Sequence, residues 1–277
     1  MGGTEDLTGP QNWDWLDDGD DWVPPPVDVT KPSIARIYDY WLDGKDNYAV
    51  DREVADRIAQ GDSGGRDGAR ANRRFLVEAV EAMAHAGIRQ FVDLGSGIPT
   101  SPNVHETAWS LRPDAVVVYV DNDPVVLAHT RAATAGEKQV AVVDHDVREP
   151  ATLLAHPRVR RLVDLSEPVG FLMISVLHFV DLSLAPAVVS RYLRDAVPGS
   201  QIAISAASSH GADPEALAAT KAAYTAAQLV FRTWAEFEAL FDDVELVGPV
   251  TELQRFASGS SLAGIGRVTR SRAVHSR

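Results

Sequence analysis

Residues 91–100, FVDLGSGIPT, carry the spacing with the clearest chemical meaning in the chain. Asp93 sits near the end of an apolar run, and Gly95, Ser96 and Gly97 follow almost at once. Glycines at such a turn let a ligand approach the main chain, because they lack a Cβ. The position, at the carboxyl end of a first strand, is where open α/β sheets bind ligands. Gly-x-Gly alone is equally a plain tight turn, so its surroundings decide. A second acid, Asp121, ends the run VVVYV, 28 residues after Asp93. A carboxylate at a second strand tip is placed to accept hydrogen bonds from a ribose diol. Asp123 precedes Pro124, a good N-cap and N1 pair, which gives it a structural use and leaves the ribose to Asp121. The run VVDHDV puts Asp144 and Asp146 on the same edge, where either could accept from an adenine amino group or cap the turn.

These acids favour one nucleoside ligand over another. A nicotinamide dinucleotide fingerprint wants a small residue five positions after the first glycine and a helix directly behind the turn. Here that position is Thr100, Pro99 intervenes, and IPTSPN delays the helix. An acid immediately before the turn suits an ammonium group instead. S-adenosylmethionine carries an amino-acid end, a ribose and an adenine, with no phosphate. His178, after a fourth apolar strand, could take a proton from an oxygen or nitrogen nucleophile, or simply be packed there. His105 reads as a capping or packing residue. No His, Asp and Glu grouping has metal-ligand spacing, and neither a Gly-x-Ser-x-Gly elbow nor a P-loop lysine is present.

The elements that must position these groups follow an alternating pattern. Apolar residues at helical spacing (Ile34, Ile37, Tyr38, Trp41, Leu42) predict a first helix with Ser33 as N-cap. A second short helix is predicted over 50–59, and GDSGGRDG (61–68) reads as a flexible joint. Helix 72–86, strand 89–94, helix 104–111, strand 115–120, a helix from Pro124 and strand 139–143 come next. Strand 169–176, helix 185–196, strand 201–205, helices 214–229 and 234–240, and strands 244–247 and 262–268 complete the series. Strands that are apolar throughout, alternating with helices, specify a doubly wound parallel sheet.

Composition sets the outer limits. The chain has 277 residues, enough to bury a full core. It has no cysteine, which excludes disulfides, thiolate metal sites and a thiol nucleophile. The net charge of −13 is uneven: residues 1–30 hold eight acids and no Lys or Arg, leaving 31 acids against 26 bases in the rest. That balance argues against nucleic-acid binding. No apolar run is long enough to span a membrane and no leader pattern is visible, so a cytoplasmic protein is expected. The division expected is an acidic disordered tail (1–30), bearing Trp13, Trp15 and Trp22, then a helical lid with its joint (31–70), then the α/β domain (71–277). The sequence carries no signal for an oligomeric state.

Several stretches together resemble an actinobacterial family of S-adenosyl-methionine-dependent methyltransferases first catalogued as a domain of unknown function. They are PSIARIYDYWLDGKDNYAVDRE (32–53), NRRFL (72–76), GIRQFVDLGSGIPTSPNVHE (87–106), VYVDNDPVVLAH (118–129), DVREP (146–150), SVLHFV (175–180) and PGSQIAIS (198–205). The resemblance implies a Rossmann-like class I methyltransferase fold, a mostly parallel seven-stranded sheet with an N-terminal helical lid. It implies S-adenosylmethionine as cofactor, S-adenosylhomocysteine as product, and a small-molecule methyl acceptor. By position, Gly95, Ser96 and Gly97 would line the methionine part and Asp93 would face its ammonium, directly or through water. Asp121 would hold the ribose, with Asn122, Asp146 and Val147 around the adenine and Ser175 near the sulfonium. Arg73 is a candidate for the cofactor's carboxylate. Tyr38, Trp41 and Tyr48 would roof the site, where an aromatic face attracts a sulfonium, or would pack between lid and body. Two features depart from the family: the joint 61–68 looks like an insertion, and the ending TELQRFASGSSLAGIGRVTRSR lacks a tryptophan-proline pair. A non-catalytic cofactor sensor, recruiting a partner through its acidic tail, and a nicotinamide-dependent oxidoreductase are the rival readings.

Overall fold

The computed structural model describes residues 26–61 and 64–270. Most of the acidic segment, with Trp13, Trp15 and Trp22, lies outside the described residues. Three helices come first: α1 (Ile34–Trp41), α2 (Ala49–Gly61) and α3 (Gly64–His85). The alternating part follows as β1 (Gln90–Leu94), α4 (Val104–Leu111), β2 (Val116–Asp121), α5 (Pro124–Ala133) and β3 (Val140–Asp144). It continues through α6 (Pro150–Ala155), α7 (Pro157–Leu162), β4 (Val169–Ile174), α8 (Ala185–Leu193), β5 (Gln201–Ser208), α9 (Pro214–Ala223) and α10 (Trp234–Glu238). Three strands close the described chain: β6 (Glu245–Leu246), β7 (Thr251–Phe256) and β8 (Gly259–Arg267).

Strands β3-β2-β1-β4-β5 are parallel neighbours, and β8 runs antiparallel against β5. Among the described residues, eight strand segments share seven positions. β7 pairs with β8 through Thr251↔Ala263 to Phe256↔Gly259, and β6 pairs with the other end of β8 through Glu245↔Arg267 and Leu246↔Gly266. The outermost position is thus one line broken at Gly248-Pro249, where Gly248 has φ +87°. The expected sheet is present, with β7 as an addition: TELQRF alternates polar residues along an edge and lacks the apolar run of a buried strand.

Neighbouring residues on each central strand face opposite layers. Phe91, Val117, Tyr119, Val142 and Leu172 pack beneath α3, α4 and α5 with Leu76, Val80 and Met83. Val92, Val118, Val120, Val143 and Phe171 face the other layer, against Leu153, Val188, Tyr192 and Phe237. That is why these runs read as continuously apolar. All five parallel strands end on one edge, and the glycine loop and the acids lie there.

The joint is corrected by the structure. Gly64–Gly68 form the first turn of α3, which runs unbroken across the 70–71 boundary. Glycine is a poor helix former, which is why the segment reads as flexible. Its use here is space: a Cβ on Gly64 would lie 2.2 Å from Phe256 Cδ1, and one on Gly65 would lie 2.6 Å from Trp41 Cε2. Helix α9 ends at Ala223 rather than running to 229, and the residues after it form a loop. Ser33 stands at the N-cap of α1, but its Oγ donates to Asp123 Oδ2 at 2.6 Å instead of capping, tying lid to body. The lid is clasped from inside by Asp51. Its carboxylate, wholly buried, accepts from Arg36 Nε (2.8 Å), Ser33 N (2.9 Å) and Tyr48 N (2.8 Å).

Candidate active site

A cavity of about 620 Å³ opens at the carboxyl edge of the sheet beneath α1 and α2. This is the usual size of a small-molecule site. One face of α3 supplies a wall through Gly64, Gly65, Gly68, Ala69, Asn72, Arg73 and Leu76, spaced as successive turns of one helix.

The glycine loop forms the floor. Gly95 donates to Val120 O at 2.8 Å with φ +76°, and a Cβ there would meet Val176 Cγ2 at 2.6 Å. Gly97, at φ +67°, donates to Asp121 Oδ2 at 3.0 Å. Only glycine takes such angles without strain. Between them Ser96 Oγ is buried with no hydrogen-bond partner. Asp121 also accepts from the backbone of Asn122 (2.9 Å) and Asp123 (3.0 Å), so three amides fix its carboxylate at the strand tip. Burial still pushes its pKa up to about 6, against those hydrogen bonds. Asp93 is 5% exposed, and burial, opposed by Arg73 and reinforced by Asp121, raises it to about 7. Asp123 accepts from Val125 N at 2.8 Å as an N-cap.

Asp146, not Asp144, lines the cavity. Its carboxylate is gripped by the Arg148 guanidinium and the Arg148 amide, which hold it below the usual range. Val147 stands beside it, with its carbonyl accepting from Tyr192 Oη at 2.9 Å. Ser175 follows β4 at φ +57°, an uncommon angle for a residue with a side chain, and its amide is directed at Ser205 O and Oγ (both 3.1 Å). Arg73 Nη2 donates to Thr100 O and to Pro102 O, so it braces the loop behind the glycines as well as facing Asp93. Tyr38 donates to Ala69 O at 3.1 Å, and burial pushes its hydroxyl up to about 12.

Of the residues singled out from the sequence, Tyr38, Trp41, Arg73, Asp93, Gly95, Ser96, Gly97, Asp121, Asn122, Asp146, Val147, Ser175 and His178 meet at this cavity. Tyr48 does not. It is 43% exposed, with the Arg36 guanidinium 5.1 Å from its ring centre, because its amide is drawn to Asp51 at the start of α2. His178 lies on the cavity wall in a form unsuited to a general base. The Ala207 amide donates to its Nδ1 at 3.3 Å, and burial, with Arg232 nearby, lowers its pKa to about 3. The proton of the neutral ring therefore sits on Nε2, which can donate but not accept. His105 is a packing residue, its Nδ1 2.8 Å from Tyr119 Oη and its ring 4.9 Å from Trp109.

Sequence reasoning missed the far half of the cavity. Asn72, Tyr224, Phe256, Ser258 and Ser260 line it from three separate segments, and no local spacing marks them. It also missed Arg232, wholly buried, whose guanidinium donates to Leu177 O (2.8 Å) and Val180 O (3.0 Å) and locks the turn bearing His178. Among the described residues no group of three His, Asp or Glu forms a metal site, and no helix is long and apolar enough to cross a membrane.

A glycine turn at β1, acids at the tips of β2 and β3, and an antiparallel last strand beside β5 are the Rossmann-like class I methyltransferase fold. The S-adenosyl methyltransferase family profile matches residues 20–261, and the chain belongs to that family. A Thermobifida fusca YX crystal structure, provisionally assigned as a methyltransferase, superposes with a TM-score of 0.82 at 38% identity, covering 90% of this chain and all of that one. A Streptomyces avermitilis protein of the DUF574 family gives 0.82 at 35%, covering 88% of this chain and all of that one. A Mycobacterium marinum protein, provisionally named an S-adenosyl-L-methionine-dependent methyltransferase, is 33% identical over 153 residues, 54% of this chain and 46% of that protein. The matched region thus spans about half the length of that curated relative.

Proposed function

We propose that this protein transfers a methyl group from S-adenosylmethionine to a small-molecule acceptor by in-line displacement. One observation carries the reading: the glycine loop and the strand-tip acids open into the same cavity, about 620 Å³ in all, as a roofed apolar chamber. The residues fit the cofactor. Two glycines with positive φ leave the main chain open, and the buried unpartnered Ser96 Oγ lies between them. Bound, S-adenosylmethionine supplies an activated methyl group on a cationic sulfur that departs with the bonding pair as a neutral thioether.

The chain's own part is to hold and to exclude water. Asp121, fixed by three amides, accepts from the ribose hydroxyls. Asp93 faces the ammonium, and Arg73, bracing the loop through Thr100 and Pro102, faces the carboxylate. Asn122, Asp146 and Val147 frame the adenine, and Ser175 marks the end of β4 nearest the reacting centre. Tyr38 and Trp41 roof it. His178 orients the acceptor by donating from Nε2, and the acceptor's proton is lost to water when the methylated product leaves.

A thermal-shift series tests this with S-adenosylmethionine, S-adenosylhomocysteine and NADH. Ligand at a hundred times its Kd adds about 2.7 kcal/mol, a rise of a few degrees for a chain of this size. A shift with both adenosyl ligands and none with NADH is expected. A shift with NADH alone overturns the reading.

A further inference from the structure

The two halves of the cavity differ in charge. The cofactor half contains Asp93, Asp121, Asp146, Arg73 and Arg148. The other half is walled by Trp41, Ile58, Phe179, Tyr224, Leu229 and Phe256. The first five of these pack into one apolar cluster, with the Phe179 and Tyr224 ring centres 5.8 Å apart. Among the described residues, the lid, the α9 loop and the β7–β8 turn contribute no Asp, Glu, Lys or Arg to the cavity wall. Burial keeps the Tyr224 hydroxyl protonated and His178 neutral. A charged acceptor entering this half would lose its hydration and meet no counter-charge.

One buried polar atom beside the apolar wall has no partner. Asn72 is 7% exposed, and its Nδ2 donates to Gly68 O at 3.1 Å, which fixes the amide and leaves Oδ1 buried without a partner. Asn72 lines the cavity from α3. Buried polar atoms are nearly always hydrogen-bonded, so an acceptor left open on a residue of the cavity wall marks where a ligand bonds. A carbonyl oxygen accepts only, so the ligand must bring an O–H or N–H.

We infer that the methyl acceptor is a neutral aromatic molecule bearing an O–H or N–H group, with its ring among Trp41, Phe179, Tyr224 and Phe256 and its polar group on Asn72 Oδ1. This rests on the methyl-transfer reading and names the acceptor class for it. Asn72 is then the specificity-determining residue. The glycines at 64 and 68 are part of the same arrangement, because Phe256 reaches the wall only by lying against them.

Calorimetric titration of the full chain tests the inference with naphthol, methoxynaphthalene and naphthoate, each in the presence of saturating S-adenosylhomocysteine. Binding of S-adenosylhomocysteine is measured first, on the wild type and on each variant, and reports separately on the cofactor half. Naphthol is expected to bind about tenfold or more tighter than naphthoate, and roughly five- to tenfold tighter than methoxynaphthalene, which lacks the O–H. Asn72→Leu should erase the difference between naphthol and methoxynaphthalene while methoxynaphthalene still binds. Asn72→Ala should erase the same difference, and it serves if the first variant does not fold. If S-adenosylhomocysteine binds but naphthoate matches naphthol, or none of the three binds, the acceptor class is wrong and the methyl-transfer reading stands. If S-adenosylhomocysteine does not bind, that reading falls and this inference falls with it.

Discussion

Replacing Asp93 by Asn should move ligand affinity and protein stability in opposite directions. Asp93 is a buried carboxyl whose pKa is pushed up to about 7, with Arg73 as the attractive charge and Asp121 as the repulsive one. The carboxylate is the form that meets an ammonium. In the free protein the ionised fraction falls about tenfold per pH unit below 7, and the apparent affinity falls with it. S-adenosylhomocysteine should therefore bind about tenfold more weakly at pH 6 than at pH 8, with roughly one proton released on binding at pH 6. Asp121, raised to about 6, adds a second and shallower loss below that. Stability runs the other way. Between about pH 4 and pH 7 the unfolded chain has lost the Asp93 proton and the native protein retains it, so this group's contribution falls as pH rises through that window. The upper bound on the loss is about 4 kcal/mol for three units of displacement. Asp93→Asn, an uncharged isostere, should raise the midpoint of ligand-free unfolding at pH 8 and remove the steep part of the affinity profile between pH 6 and 8. Calorimetry in buffers of different ionisation heat counts the protons, and thermal unfolding reports stability. A pH-independent affinity in the wild type, or a variant less stable at pH 8, would refute the assignment.

Other substitutions test other parts. Asp121→Asn should weaken S-adenosylhomocysteine by about 1.5–3 kcal/mol in a calorimetric titration, the range for a charge-assisted hydrogen bond, and unchanged affinity would sink the ribose assignment. Asp51→Asn breaks the buried pair with Arg36, 2.8 Å apart, and should cost about 3–5 kcal/mol locally. Hydrogen exchange should then show protection lost over residues 33–59 and kept in β1, β2 and β4. Gly64→Ala forces a Cβ into the Phe256 ring and should lower stability by about 1–3 kcal/mol in denaturant unfolding, with no gain from its better helix propensity.

The parallel strands were legible because both faces of each are buried, which leaves runs such as VVVYV with no polar interruption. The glycine loop and Asp121 were legible because strand order alone sends those tips to one edge. Other parts depended on contacts between distant segments. Gly64, Gly65 and Gly68 read as a hinge because glycine's local preference is all a sequence displays, whereas Phe256 and Trp41 decide their use. Tyr48 shares the aromatic spacing of its neighbours, yet one amide drawn to Asp51 turns it outward. The proton on His178 Nε2 follows from the Ala207 amide, 29 residues away. Asn72 is an ordinary polar residue until elements far apart in the chain enclose it.

Helix α3 is a single rod that lines the apolar half of the cavity at its first turns, the charged half at Arg73 and the sheet beyond Leu76. On the proposed reading, changes in its first two turns alter the volume and polarity of the acceptor chamber while Arg73 and the core stay in place. A carbon added at position 65 or 68, or a new amide orientation at 72, would then be a change of acceptor written in one short segment. That makes residues 64–72 the place to begin in redirecting the proposed reaction to a new substrate.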